Sequence, residues 1–258
     1  MAISGWKRLF GGSPAGEGAR GDASVPAGKR VYAIGDVHGR LDLLTELLDA
    51  IDRDDAGRDA AETMIVLLGD LVDRGPHSKQ VIDHLIERDW RGREVAMIKG
   101  NHEEVFLLTL AGDLEATRFW LRIGGRETMM SYGTPAELID SAGPLDIAED
   151  FMARVPREHV AFLQSMGDSL GVGGYCFVHA GIKPGVPIER QKPADLRWIR
   201  DRFLDYEGSH GATIVHGHSI ATDVENLHNR IGIDTGAYQT GKLTAVGLEG
   251  DRRWFLAT

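Results

Sequence analysis

The chain has 258 residues, of which 42% are hydrophobic and 26% charged, so it is expected to be a globular protein with a substantial core. Its formal net charge of -10 excludes a broad basic surface and argues against nucleic acid as a partner. The single cysteine, Cys176, excludes an intrachain disulfide and is expected to be a buried, inert thiol within its apolar run.

Residues 1–29 are predicted to be a flexible leader, and residues 30–258 a single domain. Positions 11–29 are rich in Gly, Ala, Ser and Pro and cannot bury an apolar face. The first ten residues lack the apolar centre of a secretory signal, and no segment approaches the ~18 apolar residues of a membrane span. We therefore expect a cytoplasmic protein with no membrane partner, and a monomer by default.

Three strand–helix units are predicted to follow the leader. Their strands are the apolar runs 31–35, 64–69 and 95–98, each followed by apolar residues at helical spacing. Such units predict parallel strands with right-handed crossovers. The run 64–69 is apolar throughout, which indicates a strand buried on both faces.

A mostly helical insertion is predicted over about residues 111–169, where helical patterns are interrupted by Gly124-Gly125, Pro135 and Pro156. Four further strands are predicted after it, at 175–178, 213–215, 230–233 and 242–248. Since Gly241 precedes the last of them, we expect the final two strands to pair antiparallel.

Five motifs share one layout, in which an apolar strand ends in polar side chains. They read GDVHG (35–39), GDLVDRG (69–75), GNHE (100–103), HAG (179–181) and HGH (216–218). Because strand ends converge on one rim of a layered sheet protein, these side chains are expected to build one site. The candidate ligands offer oxygen or imidazole donors and are Asp36, His38, Asp70, Asn101, His179 and His218. Such a set suits two divalent cations that hydrolyse phosphate esters, with Asp70 bridging them.

The same motifs contain a candidate proton donor. His102 follows the ligand Asn101 and is the expected general acid for the leaving group, with Asp73 hydrogen-bonded to its other ring nitrogen. A water that bridges two cations is deprotonated near neutral pH and can attack phosphorus directly, so no serine or cysteine nucleophile is needed.

The motif order GDVHG, GDLVDRG, GNHE, then HAG and a late GH, resembles the phosphoprotein phosphatase family of calcineurin-like metallophosphoesterases. The likeness is greatest to the bacterial and phage branch that includes the lambda phage phosphatase. It extends from Val31 to Leu248 and includes Trp120-Leu121-x-x-Gly124-Gly125, Trp198-x-Arg200 and the segment 233–237. The resemblance implies an α/β protein with the calcineurin-like fold, a β-sandwich of mixed sheets flanked by helices in α-β-β-α layers.

The resemblance also implies roles for single residues. Asp36, His38 and Asp70 would hold the first metal, and a second set would hold the other, namely Asp70, Asn101, His179 and His218. In HGH, the histidine after the glycine matches the family ligand, so His218 is preferred to His216. Manganese is expected, with iron and zinc as alternatives.

Two arginines of the chain match the family pattern, and two other positions depart from it. Arg74 and Arg200 match the family's phosphate-binding arginines. The family usually has arginine before GNHE, where this chain has Lys99, so a point charge replaces a planar, bidentate cation among the substrate-binding residues. Related diesterases continue Gly-His-x-His, and Ile220 stands in that last place, so water is expected to complete the first metal.

These matches imply a serine/threonine protein phosphatase whose metal-bridging hydroxide attacks phosphomonoesters, with a phosphorylated protein or peptide as substrate. A symmetrical diadenosine tetraphosphate hydrolase and a broad-specificity small-molecule phosphoesterase are the alternatives. The former branch typically reads GNHD where this chain reads GNHE. A silent binding module would have lost a ligand or the acid pair, and the sequence retains both.

Overall fold

Two five-stranded mixed sheets form the centre of the computed structural model, which describes residues 23–258. The strands in chain order are β1 (Lys29–Ile34), β2 (Glu62–Leu67), β3 (Glu94–Met97), β4 (Ser169–Val172), β5 (Tyr175–Val178), β6 (Thr213–His216), β7 (Glu225–Asn226), β8 (Arg230–Gly232), β9 (Thr244–Glu249) and β10 (Arg252–Ala257). The first sheet has the order β10-β9-β1-β2-β3 and the second the order β4-β5-β6-β8-β7.

The three predicted strand–helix units are present, and β1, β2 and β3 are parallel as expected. Helix α1 (Leu41–Ala56) connects the first two strands, and α2 (Ser78–Glu87) connects the next two. The apolar side chains of α1 recur at helical spacing and are buried on one face, which packs onto the first sheet.

Alternation along the strands explains the layers. In β1, Val31 and Ala33 belong to the core between the two sheets, whereas Tyr32 and Ile34 belong to the core beneath the helices. In β5, Cys176 faces a third apolar cluster on the outer side of the second sheet. The predicted fold class, α/β with mixed sheets in α-β-β-α layers, is therefore confirmed. Burial raises the pKa of the Cys176 thiol to about 12, as suits an inert core residue.

Five helices lie within the predicted insertion and follow α3 (Asn101–Leu110). They are α4 (Leu114–Ile123), α5 (Gly125–Ser131), α6 (Ala136–Ser141), α7 (Pro144–Arg154) and α8 (Arg157–Ser165). Trp120 packs edge-to-face against Phe106 and Phe151, which anchors the insertion to α3. Beyond β5 come a 3₁₀ turn at Ile188–Arg190 and three short helices, α9 (Pro193–Trp198), α10 (Asp201–Leu204) and α11 (Ala237–Thr240).

One strand pairing was predicted wrongly. The strands β8 and β9 do not pair with each other, because β8 lies between β6 and β7 in the second sheet and β9 lies between β1 and β10 in the first. Nearly every residue of β9 is buried, so this strand requires neighbours on both edges. The additional strand β10, which the sequence analysis did not predict, supplies one of them.

The folded domain begins earlier than the predicted leader boundary. Val25 is buried, its backbone N–H donates to the carbonyl of Gly250, and the Ala23 carbonyl accepts from the Tyr175 hydroxyl. Residues 1–22 of the predicted leader lie outside the described residues. Between residues 23 and 258, no helix is both long and apolar enough to cross a membrane.

Candidate metal centre

The predicted site residues occur where strands end and the backbone turns sharply. Six non-glycine residues in the described range 23–258 have a positive φ, and five of them are predicted site residues, namely His38, Asp70, Asp73, Arg74 and His218. Left-handed backbone is costly for such residues and persists where the surrounding structure enforces it, commonly at functional sites. Backbone strain is therefore concentrated at this rim.

Asp70 lies at the centre of the site. Its Oδ2 atom is 3.6 Å from Nε2 of His38 and 3.4 Å from Nε2 of His179. Two groups of donor atoms, each within 4.8 Å of one another, share this carboxylate: His38, Asp70 and His102, and Asp70, His179 and His218. Although burial alone would raise it, the surrounding imidazoles hold the pKa of Asp70 below its ordinary value, so the carboxylate is ionised.

The orientation of two imidazoles directs their lone pairs towards Asp70. Nδ1 of His38 lies 2.8 Å from the carbonyl oxygen of Val72, and Nδ1 of His179 lies 2.8 Å from that of Leu68. A carbonyl oxygen can only accept, so each Nδ1 carries the proton and each Nε2 presents a lone pair to the site. This is the tautomer that a metal ligand needs.

The remaining predicted ligands are Asn101 and Asp36, and Asp36 lies outside both groups of donor atoms. Oδ1 of Asn101 lies 2.9 Å from Nε2 of His179, so this amide belongs to the second group. Both carboxylate oxygens of Asp36 accept the backbone N–H of His218, at 3.1 Å. Burial, together with the carboxylates of Asp234 and Asp70, raises the pKa of Asp36. Buried carboxylates packed this closely would repel one another unless cations lie between them.

His102 is a member of the first group but is held differently from the other histidines. Its Nδ1 is 2.5 Å from Oδ2 of Asp73, which is fully buried, so a carboxylate rather than a carbonyl accepts from this ring. Burial lowers the pKa of His102, but Asp70 and Asp73 outweigh it and raise this pKa above its ordinary value. An imidazole that retains its proton donates that proton rather than binding a cation. The predicted contact between His102 and Asp73 is present.

The three predicted phosphate-binding cations do not share one position. Arg74 lies over the site, with Nη1 2.8 Å from Nε2 of His38 and Nη2 3.2 Å from Nε2 of His102. Arg200 borders the second group, where its Nη1 donates to the His218 carbonyl at 3.4 Å. Lys99 instead lies near Arg197. Burial lowers the pKa of Lys99, and the positive charge of Arg197 lowers it further. Lys99 forms no hydrogen bond or ion pair through its side chain with any residue in 23–258.

Two residues that carried no predicted role contact this site. The carboxylate of Glu103 accepts backbone N–H groups of Asp70 and Leu71, at 2.9 and 2.7 Å. The ring of Tyr238 lies 4.7 Å from the guanidinium carbon of Arg74 and 5.3 Å from the ring of His38. Glu103 stands at the third position of α3, where glutamate often closes a capping box, and this pattern could have identified it.

The sequence of residues 29–245 matches the calcineurin-like phosphoesterase family. The chain belongs to this family. It is accordingly a metallophosphoesterase, as the order of the motifs had indicated, and the match covers every residue of the site described above.

Relatives of this metallophosphoesterase are named for several different activities. A symmetrical bis(5'-nucleosyl)-tetraphosphatase of Nitrosospira multiformis is 27% identical over 276 aligned residues, which cover 87% of this chain and 94% of that protein. Serine/threonine-protein phosphatase 1 of Salmonella typhimurium is 26% identical over 240 residues, which cover 86% of this chain and 93% of that protein.

Solved structures agree on the fold. A crystal structure described as a candidate diadenosine tetraphosphatase superposes with a TM-score of 0.61 at 19% identity and covers 91% of this chain and 96% of the other. A protein serine/threonine phosphatase from Saccharomyces cerevisiae gives a TM-score of 0.53 at 14% identity and covers 89% of this chain and 79% of that one. The calcineurin-like metallophosphoesterase fold is thereby confirmed.

The donor chemistry of the metallophosphoesterase site fits a pair of divalent cations. It combines carboxylates, imidazoles and one amide oxygen, all of them buried. Nδ1 of His218 lies 3.1 Å from Nε2 of His179, so Nδ1 is the nitrogen that faces the donor group. Nε2 of His38 presents its lone pair to the same space, where Nη1 of Arg74 lies 2.8 Å from it.

Proposed function

We propose that this metallophosphoesterase hydrolyses phosphomonoesters of serine and threonine in proteins or peptides. The observation that carries this proposal is the buried His102–Asp73 pair beside Arg74. An alkoxide is a poor leaving group and requires a proton as the P–O bond breaks, whereas a nucleotide leaves readily as an anion. A site with a dedicated proton donor is therefore best suited to alkyl esters.

In this reaction His102 donates a proton from Nε2 to the leaving oxygen. Asp73 accepts from Nδ1, so the ring keeps one orientation and the imidazolium is stabilised before transfer. Both members of the pair are buried, which shields the proton from bulk water. After transfer, His102 regains a proton from solvent as product leaves.

Arg74 and Arg200 bind the phosphoryl oxygens from two sides. Nη1 of Arg74 donates to Nε2 of His38 and Nη2 lies 3.2 Å from Nε2 of His102, and an arriving phosphoryl group competes for the same guanidinium. The exchange frees Nε2 of His102 to face the leaving oxygen. A planar, permanently charged group suits this role because it can donate two parallel hydrogen bonds.

Two divalent cations would be held by the six predicted ligands, with Asp70 between them. When bound, such cations neutralise phosphate charge and supply an ionised water as nucleophile. Manganese is the first cation to test. Carboxylate, amide and imidazole donors also accept iron and zinc, which are the alternatives.

A second candidate function is hydrolysis of dinucleoside tetraphosphates. It is favoured by the relatives, because a symmetrical bis(5'-nucleosyl)-tetraphosphatase and an asymmetrical one, from Anoxybacillus flavithermus, both align with more than four-fifths of this chain. That reaction would use the same cations and arginines and would depend less on His102.

The deciding experiment compares a phosphoserine peptide with diadenosine tetraphosphate, using manganese-loaded protein and its His102→Ala variant. We expect the peptide to be the faster substrate and the variant to lose ~10²–10⁴-fold on it, with little loss on p-nitrophenyl phosphate. His228→Ala, at an exposed histidine remote from the site, is the matched control. Faster cleavage of the dinucleotide, or equal losses by His102→Ala on both monoesters, would overturn the proposal.

A further inference from the structure

We propose that Trp120 and Thr128, in the helical insertion, are positioning residues that act through Asp73 on His102. The inference rests on the proposed function, since it concerns the same proton donor. It assigns the insertion a part in catalysis that the sequence analysis did not predict.

Each oxygen of the Asp73 carboxylate is held by one donor from the insertion. Nε1 of Trp120, in α4, donates to Oδ2 at 2.6 Å, and the Thr128 hydroxyl, in α5, donates to Oδ1 at 2.6 Å. Oδ2 is also the atom that accepts from His102. The carboxylate is therefore fixed in plane and in rotation by residues 47 and 55 positions away in the sequence.

The backbone of Asp73 also depends on this contact. Asp73 has a φ of 77°, and its N–H donates to the hydroxyls of Thr128 and Ser78, at 2.8 and 2.9 Å. A side chain on left-handed backbone needs such support to hold one position. The side chains of Trp120, Thr128 and His102, which donate to the Asp73 carboxylate, are buried together with it, so water cannot replace a missing donor without rearrangement.

Two consecutive glycines allow the insertion to approach this closely. A Cβ atom on Gly125 would lie 2.5 Å from the Trp120 ring, and one on Gly124 would lie 2.6 Å from Cγ of Arg74. Gly124 has a φ of 115°, and its carbonyl accepts the backbone N–H of Arg74. The segment Trp120-Leu121-x-x-Gly124-Gly125 thus places an indole N–H on Asp73 while leaving room for the neighbouring arginine.

Removal of the indole N–H with the aromatic volume retained tests the inference. We expect Trp120→Phe to lower the rate on a phosphoserine peptide roughly tenfold, which is part of the ~10²–10⁴-fold that a general acid contributes, and to leave p-nitrophenyl phosphate hydrolysis nearly unchanged. Trp254→Phe is the matched control, because Nε1 of Trp254 also donates to a carboxylate, that of Asp54, far from the site. A peptide rate in Trp120→Phe equal to that of Trp254→Phe would overturn the inference.

A double mutant separates this inference from the proposed function. If Trp120 acts through His102, Trp120→Phe should cost nothing further in the His102→Ala background. An equal loss in both backgrounds would mean that Trp120 acts elsewhere, even if His102 remains the acid. Should His102→Ala itself lose equally on both monoesters, the acid role would fall and the positioning inference with it.

The hydroxyl of Thr128 gives a second test if Trp120→Phe does not fold. Thr128→Val removes the donor to Asp73 at nearly constant volume, and Thr128→Ser restores it. We expect the peptide rate, relative to p-nitrophenyl phosphate, to fall in the valine variant and to recover in the serine variant. Manganese stoichiometry, measured by titration calorimetry, should stay at the wild-type value in both. Equal relative rates in both variants would contradict a role for this hydroxyl.

Discussion

The carboxylate of Glu103 accepts the backbone N–H of Asp70 at 2.9 Å. The same carboxylate accepts from Gly100 and Leu71, so it joins the end of β2 to the start of α3 where the two central ligands, Asp70 and Asn101, emerge. Asp70 also contacts the start of α3, because its Oδ1 accepts the backbone N–H of His102 at 3.1 Å. Glu103 thereby holds the position of the proposed bridging ligand without contacting a substrate.

We therefore predict that Glu103→Gln weakens metal binding. An amide presents one acceptor and one donor group, so at least one buried backbone N–H would face another N–H, at a cost of about 1–3 kcal/mol. Loss of such a supporting contact should lower manganese affinity about 10–100-fold, as measured by titration calorimetry. Glu104→Gln is the control, since Glu104 accepts from Arg197 and Trp198 instead. Equal manganese affinity in Glu103→Gln and Glu104→Gln would contradict this role.

The two histidines of the HGH motif are predicted to differ in metal binding. His218 shares a group of donor atoms with Asp70 and His179, whereas the ring of His216 packs edge-to-face on Phe203, on the outer side of the second sheet. His218→Gln should lower the affinity of one manganese equivalent at least about tenfold, because a ligand matters no less than its supporting partners. His216→Gln should keep two equivalents. A loss that is larger in His216→Gln would reverse the assignment.

The aromatic ring of Tyr238 is predicted to support substrate binding by Arg74. The ring lies beneath the guanidinium and against His38, so it limits the positions that Arg74 can occupy. Loss of this cation–π contact in Tyr238→Leu should raise KM for p-nitrophenyl phosphate about two- to fivefold with kcat nearly constant. Tyr238→Phe, which retains the ring, should behave as wild type. A fall in kcat in both variants would instead indicate a role for the hydroxyl.

The local part of this structure could be predicted from the sequence. Short apolar runs that end in Asp, His or Asn identified β1, β2 and β5 together with the residues at their ends, because a strand and its terminal side chains are adjacent in the chain. The rule that parallel strand ends share one rim then brought distant motifs together. The structure places all six predicted ligands at that rim.

The remainder depends on contacts between distant segments. The strand at 242–248 was predicted but not its partners, because its place beside β1 cannot be read from those residues alone. The contact of Trp120 with Asp73 spans 47 positions and that of Glu103 with Asp70 spans 33. The sequence marks these two contacts only by the glycines after Trp120 and by the glutamate at the third position of α3. Neither feature indicates which distant residue is contacted. The predicted role of Lys99 in substrate binding stays a prediction, because the side chain makes no hydrogen bond or ion pair with residues 23–258 that would fix its ammonium group.

His216 is predicted to make the free energy of unfolding depend on pH. Its ring is fully buried, and burial lowers its pKa to about 4, well below the ordinary value of 6.5. Above pH 6.5 the ring is neutral in both states and costs nothing. As the pH falls from 6.5 to 4, only the unfolded chain gains the proton, so the folded state loses up to about 3 kcal/mol from this residue.

Urea unfolding of metal-free protein between pH 7 and pH 4.5 measures this dependence. A glutamine cannot titrate, so the free energy of unfolding of His216→Gln should fall less steeply with acid than that of wild type, by up to ~1.4 kcal/mol per pH unit. The comparison uses the slope rather than the absolute stability, because the substitution also changes the contact with Phe203. Identical slopes in the two proteins would show that His216 takes up its proton in the folded state as readily as in the unfolded chain.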